Sequence, residues 1–142
     1  MVHVRNILHG RELFSVASDE TVAGVARRMA EMKVGAILVL RGTELEGLFS
    51  ERDLMTRVVV QQRNPATTLV GAVMTTNLTT VSEDAPLEEA LELMHAHNCR
   101  HLPVMRGRHV VGFLSMRDLM HFELERKTEE LHQMRQYIHG SA

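Results

Sequence analysis

The sequence predicts an α/β (α+β) fold built from two tandem repeats. At an offset of 65 positions, residues 13–55 align without a gap on residues 78–120 and share 13 of 43 amino acids, where unrelated sequences would share roughly 3. The shared set ends in the pattern G-x-x-S-x-R-D-L-M, which begins at Gly47 and again at Gly112. A repeat of this size does not bury its apolar face alone, so we expect the two copies to share one core.

Within each copy, the spacing of the apolar residues predicts a helix, two strands and a second helix, in that order. Asp19 and Asp84 are predicted helix N-caps, because apolar side chains follow both at the i, i+3, i+4, i+7 spacing of a half-buried helix. Short apolar runs then predict two strands around an Arg-Gly turn. The predicted elements are lead-in segments at 4–8 and 70–74, strands at 36–40, 45–49, 102–105 and 110–114, turns at Arg41-Gly42 and Arg106-Gly107, and second helices that begin near Ser50 and Ser115.

A final helix departs from the repeat. It is predicted from Arg117 to about Ile138, with Gly140 as its stop. Its apolar residues follow heptad-like spacing with an interruption at Lys127; they are Met120, Leu124, Leu131, Met134 and Ile138. The helix either folds onto its own domain or projects and packs on a second subunit. We favour the second arrangement, because the helix is longer than the repeat can cover.

The segment boundaries follow from these elements. Asn64-Pro65 breaks the first unit, because the residue before a proline disfavours helix. We therefore expect repeat 1 at residues 1–64, repeat 2 at 65–125 and a C-terminal helical extension at 126–142, with the two repeats forming one domain.

Composition excludes several classes of function. The 142 residues carry a net charge of −2, which gives no general attraction to nucleic acid or to anionic membranes. The longest apolar stretch, 36–40, is far shorter than the ~20 residues of a membrane span, and the N-terminal residues lack a signal-peptide pattern. Cys99 is the only cysteine, so we expect a reducing cytoplasm, no membrane and no nucleic-acid partner.

The repeated Ser-x-x-Asp has two interpretations. It is a variant of the capping box, in which Ser caps a helix and Asp three residues later reaches back to the Ser amide. The same geometry suits a ligand, because free amides at a helix start attract phosphate and a carboxylate accepts hydrogen bonds from ribose hydroxyls. Capping does not require the arginine that precedes the aspartate in both copies, Arg52 and Arg117.

Taken together, these motifs resemble the cystathionine-β-synthase domain, or CBS domain. The segment "CRHLPVM" (99–105) is similar to the R-H-L-P-V strand of that family, and "FSERDLM" (49–55) to its S-E-R-D helix start. The resemblance covers the chain except its last helix. It implies two β-α-β-β-α repeats packed through their sheets with pseudo-two-fold symmetry, in a protein like the stand-alone bacterial members of the family, to which no enzyme is attached.

The resemblance also implies that the clefts between the repeats bind adenosyl compounds: AMP above all, or ATP, NAD or S-adenosylmethionine. The implied residues of the second cleft are Ser115, Arg117, Asp118, Phe113, Arg100, His101, Val34, Gly35 and Ala36. Those of the first cleft are Ser50, Arg52, Asp53, Leu48 and Thr68. The resemblance implies that Asp53 and Asp118 bind ribose and that Leu48 and Phe113 pack on the adenine ring of their own clefts. It also implies that residues 34–36 line the adenine pocket beside Asp118.

We expect the two clefts to differ. Arg100 and His101 stand where resembling domains contact phosphates, whereas the first repeat has Gly35 and Ala36 at the corresponding positions. An arginine offers a forked, charged set of donors that glycine cannot replace. The Asp118 cleft is therefore predicted to prefer phosphorylated ligands.

Metal binding and catalysis find little support in the sequence. His95, His97, Cys99 and His101 alternate, but they straddle a predicted helix end and strand start, so they do not share one face. Neither a P-loop nor G-x-G-x-x-G occurs. We therefore expect a non-catalytic sensor that needs no cofactor or metal and acts as a homodimer with the pairs side by side. A structural interaction module without a ligand and a nucleotide-processing enzyme are the alternatives.

Overall fold

The computed structural model describes residues 1–8 and 13–140, with Gly140 described by its backbone alone. The strands are β1 (Ser15–Val16), β2 (Ala36–Arg41), β3 (Glu44–Ser50), β4 (Val81–Ser82), β5 (His101–Arg106) and β6 (His109–Ser115). The helices are α1 (Val22–Met32), α2 (Glu51–Asp53), which continues as a π-helix over Leu54–Val59, α3 (Leu87–Ala96) and α4 (Met116–Gly140). Each repeat thus has the predicted order of one short strand, a helix, a hairpin and a second helix.

The strands form one sheet in the order β1-β2-β3-β6-β5-β4. In each repeat the short first strand runs parallel to the hairpin, whose own strands are antiparallel. The repeats meet where β3 pairs with β6, at Glu44 and His109. Leu38, Leu40 and Val110 form a buried cluster to which both repeats contribute. The sheet order reads the same from either edge, which confirms the predicted packing of two repeats through their sheets.

Both hairpins turn at the predicted Arg-Gly pairs. Gly42 and Gly107 have φ angles of +63° and +62°, a backbone region that glycine enters without the steric cost of a Cβ atom. Pairing continues up to the turn in both hairpins, with Arg41 opposite Glu44 and Arg106 opposite His109, after a register shift between Val39 and Leu40 and between Val104 and Met105.

The predicted N-caps of the first helices were wrong. Thr21, not Asp19, caps α1, and its hydroxyl accepts a hydrogen bond at 3.2 Å from the amide three residues later. Helix α3 follows Pro86, which has no capping side chain, and Asp84 pairs instead with Arg5 of the first lead-in segment. Both helices begin later than the local pattern indicates, because tertiary contacts of the lead-in segments fix their first residues.

The first lead-in segment packs on the second repeat. It forms a 3-10 turn over Val4–Ile7, and both end residues are buried in the core of repeat 2. The amide of Val4 donates to the carbonyl of Ala85 at 2.9 Å, and the amide of Leu87 donates to the carbonyl of Val2 at 3.0 Å. The N-terminal segment therefore belongs structurally to the other half of the chain.

The second lead-in segment packs in the same way on the first repeat. Its 3-10 turn covers Val70–Ala72, and Val70 is fully buried in the core of repeat 1. The amide of Val22 donates to the carbonyl of Thr68 at 2.9 Å, and the amide of Val70 donates to the carbonyl of Glu20 at 2.8 Å. Each repeat is thus completed by the lead-in segment of the other, an arrangement we call the lead-in exchange.

Helix α4 begins one residue before its predicted start and continues to Gly140. Leu119 is fully buried and anchors the helix to repeat 2. Every residue from Leu124 to His139 is exposed, so about 24 Å of helix extends beyond its own domain. It does not fold back onto the domain. Within the described ranges, no helix combines the length and apolar content that a bilayer crossing requires.

We expect Val4→Ala to destabilise the protein by about 1–3 kcal/mol, because it deletes two fully buried methyl groups. Urea unfolding measures the loss, and hydrogen exchange locates it. Because the first lead-in segment packs on repeat 2, we expect the amide hydrogens of α3 and β5 to exchange faster, although these elements are far from the mutation in sequence. Val60→Ala, at a residue that is 65% exposed, is the control. Faster hydrogen exchange confined to the amides of repeat 1 would contradict the packing of this segment on repeat 2.

Candidate functional site

A cavity of about 600 Å³ lies between the two repeats. Repeat 2 contributes the end of β6 and the start of α4, and repeat 1 contributes the end of α1 and the start of β2. The lining residues are Leu8, Leu13, Phe14, Lys33, Val34, Gly35, Ala36, Ile37, His101, Val111, Gly112, Phe113, Ser115, Arg117 and Asp118. Of the nine residues predicted for the second cleft, eight lie together in this wall.

The polar end of this cavity, which we call the Asp118 cleft, is built by a capping box. The amide of Asp118 donates to Ser115 Oγ at 3.0 Å, and the amide of Ser115 donates to Asp118 Oδ2 at 2.9 Å. These two bonds fix the carboxylate at the start of α4, where Arg117 is exposed beside it. Capping therefore presents the carboxylate to the cavity, so the two interpretations of Ser-x-x-Asp are compatible here.

Small residues keep the opposite wall open. Gly35 and Ala36 line the cavity with little side chain, and a Cβ atom added to Gly35 would lie 3.4 Å from Glu51 Oε2. Lys33 adds a positive charge to this wall. It has a left-handed backbone with φ of +56° at the end of α1. We missed Lys33 in the sequence because it closes a helix, a position where a lysine has no special meaning by itself.

An aromatic stack forms the third side of the cleft. The rings of His101 and Phe113 are stacked, with centroids 5.2 Å apart and an angle of 25° between their planes. Burial lowers the pKa of His101, the positive charge of Arg100 lowers it further, and the carboxylates of Asp118 and Glu51 act in the opposite direction. The ring is therefore held neutral over a wider pH range than a free histidine.

The first cleft has a different structure around Asp53. Asp53 is 6% exposed, and its carboxylate accepts hydrogen bonds on Oδ2 from the amide and the hydroxyl of Ser50, both at 3.1 Å. The hydroxyl of Thr75 lies 3.0 Å from Oδ1 and 3.2 Å from Oδ2, and Arg57 Nε lies 3.6 Å from Oδ1. Asp53 is thus held by three side chains, two of which the sequence pattern did not indicate.

Three other predicted residues lie away from these contacts. Arg100 is exposed and is not among the residues that line the cavity, although its charge acts on His101. Arg52 is exposed. Thr68 offers its carbonyl to the first amide of α1, and Thr75, seven residues later, is the threonine that reaches Asp53.

The alternating histidines do not gather around a metal position. Across the part of the chain that the structure describes, no group of three or more His, Cys, Asp or Glu side chains is arranged to hold a metal ion. His95 and His97 are exposed at the end of α3. Burial raises the pKa of the Cys99 thiol, which disfavours the thiolate that nucleophilic chemistry needs.

Comparison with known proteins identifies the repeats. The CBS domain family matches residues 4–60 and 70–125. The chain belongs to this family, and its two repeats form a CBS pair. It is 32% identical over 128 residues to CBSX3, a mitochondrial CBS domain-containing protein of Arabidopsis thaliana, in a match that covers 87% of this chain. The chain spans 62% of the length of that relative.

Solved structures share the fold. A CBS-domain protein of Burkholderia ambifaria MC40-6 is 32% identical with a TM-score of 0.78, over 84% of this chain and 91% of that one. The CBS pair of the protein MJ0100, in complex with 5'-methylthioadenosine and S-adenosyl-L-methionine, has a TM-score of 0.79 at 20% identity, over 89% and 98% of the two chains. CBS pairs are regulatory modules that bind adenosyl ligands.

We expect His101 to make stability depend on pH. Its pKa is lowered in the folded protein, so the unfolded chain takes up the proton first as the pH falls below about 6.5. The stability that the neutral ring contributes is present above that pH and is lost as the pH falls through the folded pKa. His101→Gln should lose less unfolding free energy than the wild type between about pH 7.5 and 5.5. The exposed His95→Gln is the control, and equal losses in the wild type and His101→Gln would contradict the expectation.

Proposed function

We propose that the chain is a non-catalytic regulatory module that binds an adenine nucleotide, AMP above all, in the Asp118 cleft. The observation that carries the proposal is the cavity itself, in which a carboxylate, an aromatic stack and a small-residue wall from both repeats meet. Its 600 Å³ volume lies in the range of small-molecule sites. The adenosyl ligands of MJ0100 support the class of ligand.

Each part of an adenine nucleotide has a matching group in the cleft. Asp118 suits the ribose hydroxyls, because an ionised carboxylate accepts hydrogen bonds. The narrow space between residues 34–36 and Phe113 suits the flat adenine ring. Lys33, Arg117 and His101 suit the phosphate, with Arg100 adding positive charge at the rim. ATP, NAD and S-adenosylmethionine share the adenosine part and are the other candidates.

A ligand in this cleft would contact both repeats. A regulatory signal requires that the ligand bind two states of the protein with different affinity. The cavity supports such a difference, because its volume depends on the distance between residues 33–37 of repeat 1 and the capping box of repeat 2. We propose the cytoplasm as the compartment, since the lone cysteine fits a reducing environment.

The alternative is a structural interaction module without a ligand. The capping boxes favour it, because Ser115 and Asp118 already satisfy each other's backbone amides. In that case the cavity would have no specific occupant. Calorimetric titration with AMP, ATP, NAD and S-adenosylmethionine separates the two functions.

We expect Asp118→Ala to weaken AMP binding by about 10- to 150-fold, because each charge-assisted hydrogen bond contributes roughly 1.5–3 kcal/mol. Isothermal titration calorimetry measures the change, and circular dichroism checks the fold. Asp19→Ala removes an exposed carboxylate outside the cavity and is the matched control. Unchanged affinity in a folded Asp118→Ala protein would return this residue to a purely capping role.

We further propose that the module is a homodimer with the CBS pairs side by side. Met120, Leu124, Leu131, Met134 and Ile138 are 56–66% exposed along α4. With Lys127 they follow spacings of 4, 3, 4, 3 and 4 residues, which is the core pattern of a two-stranded coiled coil. In a parallel pair, Glu130 of one helix faces Arg135 of the other, and Lys127 restricts the register at a cost in stability.

We expect the wild-type chain to sediment as a dimer and Leu131→Glu as a ~16 kDa monomer, because the substitution places a charge in the core of the helix pair. Sedimentation equilibrium at several protein concentrations makes the measurement. Gln133→Glu, on the outer face of the same helix, should stay dimeric. A wild-type protein that remains monomeric at high concentration would contradict this arrangement.

A further inference from the structure

We infer that Lys33 makes the Asp118 cleft select adenosine compounds that carry an anionic group on the 5' carbon of the ribose. The inference rests on the proposed function of that cleft and goes further, because it names the class of ligand and the side chain that selects it. AMP, ATP and NAD carry such a group, whereas adenosine and 5'-methylthioadenosine do not.

Lys33 has a backbone conformation that is unfavourable for a lysine. It follows α1 with φ of +56° and ψ of +44°. Its amide donates to the carbonyl of Ala30 at 3.3 Å, and the amide of Val34 donates to the carbonyl of Met29 at 3.1 Å. Glycine, or sometimes asparagine, is the usual residue at this kind of left-handed helix end, because in other residues the Cβ atom crowds the following carbonyl. A lysine is therefore kept here at a cost to stability.

The second repeat has one of the usual residues at the same place. Asn98 lies just beyond α3, corresponds to Lys33 at the offset of 65 and has φ of +49°. The hydrogen bonds are equivalent: the amide of Asn98 donates to the carbonyl of His95 at 3.3 Å, and the amide of Cys99 donates to that of Met94 at 3.0 Å. This helix end accepts asparagine, so the fold does not require a lysine at position 33.

A left-handed backbone does not by itself mark a binding residue. Gln62 also has φ of +57°, and it is not among the residues that line the cavity. Lys33 differs from it by its place, because it lines the cavity from repeat 1, on the wall opposite the capping box of Ser115 and Asp118. Within residues 1–8 and 13–140, no side chain forms an ion pair or hydrogen bond with Lys33. Its ammonium group is therefore available to a ligand.

The other ionisable residues of the cavity wall do not supply a net positive charge. Arg117 and Asp118 are neighbours in the wall and carry opposite charges. Burial lowers the pKa of His101, which favours its neutral ring. Lys33 thus gives the described wall its positive balance, and such a balance attracts a phosphate group.

Two charges outside the wall act against each other. The carboxylate of Glu51 approaches the small-residue wall, where its Oε2 would lie 3.4 Å from a Cβ atom added to Gly35. Arg100 is exposed at the start of β5. The two charges act on His101 in opposite directions, so this pair does not replace the charge of Lys33.

Isothermal titration calorimetry with AMP and with adenosine tests the role of Lys33. We expect the wild type to bind AMP about 10-fold more tightly than adenosine. Lys33→Asn, which copies the second repeat and suits the left-handed backbone, should weaken AMP binding by about 5- to 15-fold and leave adenosine binding unchanged. Lys33→Asp reverses the charge and should weaken AMP binding further, whereas Lys33→Arg should keep the preference.

Thermal unfolding provides a readout that does not depend on any ligand. Asparagine relieves the left-handed strain, so Lys33→Asn should raise the unfolding temperature by about 2–4 °C. Gln62→Asn is the matched control, because it should gain similar stability and leave AMP binding unchanged. A lower unfolding temperature of the Lys33→Asn protein would overturn the inference, since the lysine would then serve the fold.

The binding data separate the inference from the proposed function. Equal affinity of the wild type for AMP and adenosine would overturn the role of Lys33 and leave the cleft as an adenosine site. A Lys33→Asn protein that prefers AMP as strongly as the wild type would have the same meaning. If the wild type binds neither AMP nor adenosine, the proposed function fails, and the inference fails with it.

Discussion

The lead-in exchange is the constraint on which the rest of this structure depends. Val4 completes the core of repeat 2, and Val70 completes the core of repeat 1. Neither half of the chain buries its apolar residues without the other, so the interface between the repeats and their cores form together. The exchange also shapes the clefts, because each lead-in segment places residues in the cleft of the opposite repeat: Leu8 lines the Asp118 cavity, and Thr75, just after the second lead-in, reaches Asp53.

One local motif has acquired two environments. Ser50 and Asp53 form the same capping box as Ser115 and Asp118, with donor–acceptor distances that agree within 0.2 Å. The surroundings of the two carboxylates differ: Thr75 and Arg57 lie against Asp53, whereas Asp118 lines the cavity between the repeats. The capping box is therefore shared by both clefts, and it does not by itself make either cleft a binding site.

The sequence predicted the features that depend on residues close together along the chain. The alternation and helical spacing of apolar residues predicted the hairpins, the helices and the projecting α4, because these patterns reflect a single buried face. It placed the start of α1 two residues early, because the bond from Val22 to the distant Thr68 is absent from any local pattern. The contact between Asp53 and Thr75 was missed for the same reason: it joins segments 22 residues apart through a fold that had first to be known.

The lead-in exchange has a consequence for how such a protein can arise. A single copy of the repeat would carry a lead-in segment with no place to pack within its own chain, so it would fold only as a domain-swapped dimer. Covalent linkage makes the packing of each lead-in segment intramolecular, with a high effective concentration. A symmetric pair of single repeats has two identical clefts by necessity. Once both copies lie on one chain, each cleft can change alone: Arg57, which lies 3.6 Å from Asp53, corresponds to Phe122 in the second copy.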